Sequence, residues 1–103
     1  MSESRLMGYA TLHVLQAIAA GYVYGFEIMD ATHLPSGTVY PILSKLEDSG
    51  FLKSRWEDAR AARREKRPPR RSYEITGDGR ETLKQNVEKY RKLQRLAPRK
   101  AYS

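Results

Sequence analysis

At Gly50 the hydrophobic period of the chain changes. Upstream, in "SGTVYPILSKLEDSG", Val39, Ile42, Leu43 and Leu46 recur at helical spacing. Ser36 predicts an N-cap and Gly50 the C-terminal stop of a helix over 36–49. Downstream, in "LKSRWE", Leu52, Ser54 and Trp56 share one face and Lys53, Arg55 and Glu57 the other, the alternation of a strand. Pro41 lies inside the predicted helix, where it removes a backbone bond at a cost of about 3 kcal/mol. Two roles stay open for it: a rigid apolar outer surface that aims the first turn, or a kink that the fold tolerates.

The flanking segments complete the pattern. Residues 5 to 20 put Met7, Thr11, Val14, Leu15 and Ile18 on one helical face, with Ser4 as a possible cap and Gly21 as the stop. "YVYGFEIMDAT" predicts a shorter helix, roughly Tyr24 to Thr32, with Phe26 and Met29 at i and i+3 and Ile28 beside them. "HLP" is a tight turn, so this helix and the one at 36–49 form a helix-turn-helix. "RSYEI" is a second strand with Tyr73 and Ile75 on one face, and the hairpin between the strands has a long tip from Asp58 to Arg70. Thr76 caps a last helix predicted over 77–96 and ending before Pro98, with Leu83, Val87, Tyr90, Leu93 and Leu96 as its apolar stripe. That stripe is too long for so small a core, and a second copy of the chain is the simplest cover. The fold class is therefore mainly α with a small β-hairpin: a winged helix-turn-helix over 1–76 and a C-terminal dimerisation helix and tail over 77–103, in one compact unit.

Charge indicates the kind of partner. Of the net charge of +7, "RAARREKRPPRR" carries +6, since Arg60, Arg63, Arg64, Lys66, Arg67, Arg70 and Arg71 face the single Glu65. A localised basic patch selects an anionic partner, with nucleic acid first and an anionic membrane second. No apolar run approaches the ~20 residues of a membrane span. The absence of cysteine excludes disulfides and thiolate metal sites and suits a cytoplasmic location. His13 and His33 lack ligand-spaced partners, so no metal or other cofactor is expected. "GDG" at 77 to 79 is a capping turn, not a phosphate loop. No nucleophile–base pair or cofactor loop is evident, so an enzyme is not expected.

Three blocks, "GYVYGFEI", "PSGTVYPILSKLEDSGFLKSRWED" and "RPPRRSYEITGDGRETL", resemble the PadR family of bacterial transcriptional regulators, in order and at the family's separations, over Leu12 to Leu83. The chain departs from the family pattern at Tyr24, where a histidine is usual, at Phe26, where a tyrosine is usual, and in its longer, more basic wing tip. The resemblance implies a homodimeric winged-helix DNA-binding protein, usually a repressor released by a small molecule or other signal, of the short subgroup with one C-terminal helix.

In that frame the helix at 36–49 would present Ser36, Gly37, Thr38, Tyr40, Pro41, Ser44 and Lys45 to the major groove of a two-fold symmetric operator. The wing would supply Arg63, Arg64, Lys66, Arg67 and Arg70 to phosphates or a minor groove. Leu83, Val87, Tyr90, Leu93 and Leu96 would form the dimer contact. Trp56 is expected to pack the wing on the body. With Tyr9 and Tyr90 it could also border an effector pocket in a dimer, although aromatics on a helix stripe are usually core. Two binding modules compete with this reading. One is a non-specific architectural nucleic-acid binder led by the wing; the other is a protein-interaction adaptor, which the arginine-rich wing disfavours.

Overall fold

The structure is a computed structural model that describes residues 6 to 96. Its element order is α1 (Tyr9–Ala19), α2 (Gly25–Thr32), α3 (Ser36–Asp48), β1 (Leu52–Trp56), α4 (Ala59–Arg64), β2 (Arg71–Ile75) and α5 (Gly77–Gln94). This is a winged helix-turn-helix followed by a long helix, as the change of period predicts.

The first three helices close over one core. Val14, Leu15, Ile28, Val39, Leu43 and Leu46 are essentially inaccessible, and Leu52, Tyr73, Ile75 and Leu83 seal the cluster from the hairpin and α5. Each large side chain buried this way contributes about 1.5–3 kcal/mol. Helix α1 is the hub, packing against α2, α3, β2 and α5. Its start differs from the sequence expectation. The helix begins at Tyr9 with Gly8 as an N-cap that makes no side-chain bond, and Ser4 lies outside the described residues. Met7, expected on the helical face, precedes the helix as a strap. Its N–H donates to Asn86 Oδ1 at 2.8 Å, and its carbonyl accepts from the Tyr90 hydroxyl at 2.7 Å. Both partners lie on α5, and Asn86, which also donates to the Thr82 carbonyl, is wholly buried.

Gly21 and Gly50 end α1 and α3 as expected, at φ 111° and 82°. Both close a Schellman turn: Tyr22 N–H reaches the Ala17 carbonyl and Phe51 N–H the Leu46 carbonyl. At α3's other end the expected cap fails. Pro35 is the N-cap and Ser36 the first helical residue, with no side-chain cap bond. A proline in extended conformation can hold the N-cap because its missing N–H is not needed there. Pro41 does not stop the helix, which runs on to Asp48. The carbonyl it deprives of a partner belongs to Gly37, four residues back on the same face. Gly37 is exposed, so water can satisfy that group.

The hairpin pairs Leu52 with Ile75 through to Trp56 with Arg71, antiparallel. The tip is more ordered than a long loop. Asp58 accepts from the Arg60 N–H at 2.9 Å and caps α4, and Lys66, at φ 58°, closes it with a third Schellman turn. The hydrophobic signal was weak because Ala62 alone fills the tip's interior. In α5, Thr76 Oγ1 accepts from the Gly79 N–H at 3.0 Å, the cap expected from sequence. The helix ends at Gln94, two residues short of the expected Leu96, and Pro98 lies outside the described residues. No helix among the described residues is long and apolar enough to cross a membrane.

Candidate nucleic-acid interface

From Ser36 to Lys45 one side of α3 is empty of acids and of bulky aliphatic residues, and exposed Asp48 comes onto that side only at the helix's C-terminal end. Gly37, Tyr40, Pro41 and Ser44 follow the i, i+3, i+4, i+7 rule and are exposed, flanked by exposed Ser36 and Lys45 and by half-buried Thr38. The opposite side carries the core residues Val39, Leu43 and Leu46, with Ile42 half-buried at its margin. The seven residues expected to face a groove therefore share one surface. Tyr40 has a second task, because its ring fills the space over Gly25, where any Cβ would collide with it. This close approach of α2 and α3 fixes the base from which Tyr40 projects.

The wing cations divide into two groups. Arg67 donates to both oxygens of Glu57, at 2.6 and 2.7 Å, and Glu57 Oε1 also accepts from the Arg70 N–H at 3.1 Å. The Arg67 hydrogen bonds hold the Glu57 carboxyl down at about 2, against the upward push of its partial burial. Arg67 therefore braces the tip from inside. Arg70 rests its guanidinium 5.3 Å from the ring centres of both Tyr24 and Phe26. Arg71 donates to Glu47 Oε1 at 3.0 Å and to Ser54 Oγ at 2.9 Å, while the Ser54 hydroxyl donates to Glu47 Oε2 at 2.6 Å. Glu47 thus ties the end of α3 to the wing. Arg60, Arg63, Arg64 and Lys66 point into solvent, and no acceptor holds their side chains among the described residues. Of the five wing cations expected at DNA, Arg63, Arg64 and Lys66 are uncommitted, whereas Arg67 and Arg70 have internal partners.

Several expectations need correction. Trp56 does not pack the wing on the body: it is 63% exposed, with the Arg71 guanidinium 5.7 Å from its ring. Phe26 is 52% exposed and stacks on Tyr24, because Ile28 is the only large apolar side chain of the short α2 that is fully buried. Leu83 belongs to the chain's own core, and Val87 and Tyr90 pack partly against it. Only Leu93 and Leu96, the latter beyond the helix end, stand well exposed, at 57% and 76%. The residues considered for an effector pocket do not meet within one chain. Tyr9 lies exposed against His13, Tyr90 bonds to Met7, and Trp56 sits in the wing. Among the described residues no group of His, Cys, Asp and Glu could hold a metal ion.

Sequence reasoning missed Glu47, Arg71, Tyr24 and Phe26 as parts of this surface. Their signal was present in the arginines after Pro69 and the aromatics around Gly25, but their proximity depends on how the hairpin folds back. The wing is laced to the body by the Tyr73 N–H donating to the Val23 carbonyl at 2.9 Å and by a bridge between Tyr24 and Ser72.

The sequence matches the model of the transcriptional regulator PadR-like family over residues 12–85. The fold is similar to that of a PadR family transcription regulator from Clostridium difficile, at 22% identity and a TM-score of 0.74, over 84% of this chain and 92% of that one. It is also similar to a transcriptional regulator from Clostridium thermocellum, at 24% identity and 0.72, over 91% of each chain. A third similar fold is Bordetella bronchiseptica BpsR, whose DNA binding is regulated by 6-hydroxynicotinic acid. It shares 20% identity and a TM-score of 0.70, over 94% of this chain and 73% of that one. No curated protein matches the sequence.

Proposed function

The chain belongs to the transcriptional regulator PadR-like family, and from that premise we propose that this DNA-binding regulator acts as a homodimeric repressor of a two-fold symmetric operator. Family membership makes it a regulator and not an enzyme. In the proposed mechanism each copy inserts the N-terminal half of α3 into a major groove. There Thr38 meets a thymine methyl or a base donor, Tyr40 reaches a phosphate or base edge, and Lys45 meets a phosphate or guanine. Arg60, Arg63, Arg64 and Lys66 contact phosphates beside the adjacent minor groove. The exposed end of α5, with Leu93 and Leu96, is the contact for the second copy, which sets the spacing of the two recognition helices. A small molecule then acts by differential affinity for two such spacings. The regulation of BpsR by 6-hydroxynicotinic acid supports that part by likeness of fold.

The observation that carries this reading is the exposed face of α3 from Ser36 to Lys45, which holds no acid, standing beside a wing with uncommitted cations. Selection of sites from random duplex DNA, at low and near-physiological salt, tests it. The expected result is a two-fold symmetric motif that survives the higher salt, with discrimination of roughly 10³-fold or more. Loss of enrichment, with affinity falling about 10³-fold or more between 50 and 200 mM salt, would instead mean phosphate-led, architectural binding.

A further inference from the structure

The large exposed aromatic residues near the wing are gathered in one place. Phe26, Tyr40 and Trp56, exposed at 52%, 46% and 63%, line a notch of about 370 Å³ between α2, α3 and the wing, together with Tyr24, Arg70 and Arg71. We propose that this notch seats the sugar–phosphate strand that separates the major groove entered by α3 from the minor groove flanked by the wing. The inference rests on the DNA-binding reading above and deepens it.

Position gives the first argument. One wall of the notch is α3, through Tyr40, and the other is the wing, through Trp56, Arg70 and Arg71. If these walls enter adjacent grooves, the strand between the grooves must pass through the notch.

Chemistry gives the second. A DNA backbone alternates an apolar deoxyribose with an anion. The notch alternates open ring faces with guanidinium groups, which match both parts. Arg70 is placed for the anion: its guanidinium rests beside the stacked Tyr24 and Phe26 rings, 5.3 Å from each centre, and its side-chain donors meet no hydrogen-bond acceptor among the described residues. No free carboxylate opposes a phosphate there, because Glu47 is taken by Arg71 and Ser54 and Glu57 by Arg67.

Rigidity gives the third. The bonds from Tyr73 to Val23 and from Ser54 to Glu47 fix both walls before any ligand arrives, so little ordering cost falls on binding.

Trp56 is the only tryptophan, so its fluorescence reports on the notch without any substitution. Acrylamide quenching of the intact protein is measured with and without saturating duplex, while binding is followed separately by anisotropy of a labelled DNA. The expected result is severalfold protection of Trp56 on binding. Arg70→Gln should weaken the selected operator and unrelated duplexes by the same factor and lower the log–log salt slope by about 0.9 per seat. Phe26→Ala should also weaken both alike. DNA binding with Trp56 quenching unchanged would overturn the seat but leave the DNA-binding reading standing. Protection by benzoate alone and not by duplex would also overturn it, assigning the notch to small planar anions. No anisotropy change with any duplex would overturn the DNA-binding reading itself.

Discussion

Glu57 and Arg67 face each other across the base of the wing tip, with both carboxylate oxygens engaged by one guanidinium at 2.6 and 2.7 Å. The pair closes the segment that holds α4, so a stretch that reads as a charged loop is a small folded unit. Bidentate pairs of this kind fix orientation as well as distance.

The clasp has a defined pH range. Glu57 titrates at about 2 in the folded chain against 4.5 ordinarily, because Arg67 and the Arg70 N–H hydrogen-bond its ionised form. Since the folded value is the lower one, the clasp contributes fully above about 4.5, and its contribution is lost as pH falls from there through 2. A carboxyl carbon titration of Glu57 by NMR, with amide exchange of residues 58 to 70, checks this. Glu57→Gln should speed exchange across the tip at neutral pH. Normal titration near 4.5 would remove the clasp from the account.

Gly79 is packed directly against another segment's backbone. An added Cβ would run into the backbone carbonyl of Phe51 and lie 2.8 Å from Ile75 Cγ1. Gly79→Ala should therefore lower stability by about 1–3 kcal/mol, although alanine favours a helix. Gly37 is the control, since nothing lies within 4 Å of its missing Cβ. There the alanine should add up to about 1 kcal/mol. Urea unfolding of both variants compares them, and equal effects would contradict the packing described for Gly79.

Pro41→Ala restores the N–H that would pair with the Gly37 carbonyl. The expectation is a gain of about 1–3 kcal/mol in unfolding free energy. Operator affinity separates the two roles left open by the sequence. Weakened specific binding in the stabler variant assigns Pro41 to the groove surface; unchanged binding leaves a tolerated kink.

Lys66 occupies a left-handed position, φ 58°, that glycine fills more easily. Lys66→Gly should slow amide exchange in α4, by about 0.5–1 kcal/mol of local stability, while removing one uncommitted cation. The salt slope of DNA binding should then fall by about 0.9 per wing if Lys66 meets a phosphate. An unchanged slope would take Lys66 off the DNA.

Asn86 holds the strap ahead of α1. Asn86→Ala would truncate the buried end of that contact and leave the half-buried Met7 N–H without its acceptor, for a loss of about 1–3 kcal/mol. Thermal unfolding of this variant beside Tyr90→Phe, which removes the second bond to Met7, should show the larger drop for Asn86.

By itself the sequence determined whatever depends on neighbours along the chain. Periodicity placed Val39, Leu43 and Leu46 inward and Tyr73 and Ile75 on one face, and the positive φ demanded of Gly21 and Gly50 ended two helices where glycine stands. Local rules also brought the seven outer residues of α3 to one surface. Tertiary structure decided what depends on partners distant in sequence. Leu83 joined the core because α5 begins against α1, while Leu93 lies past the edge of that core. Trp56 alternates correctly with Leu52 yet stays exposed, because the hairpin outruns the body that would cover it. Seven cations look alike in a string. Only the folded wing, by bringing Glu57 to Arg67 and Glu47 to Arg71, separates those that brace it from those left for a partner. Pairing energy depends on distance in space, which a linear charge count does not contain.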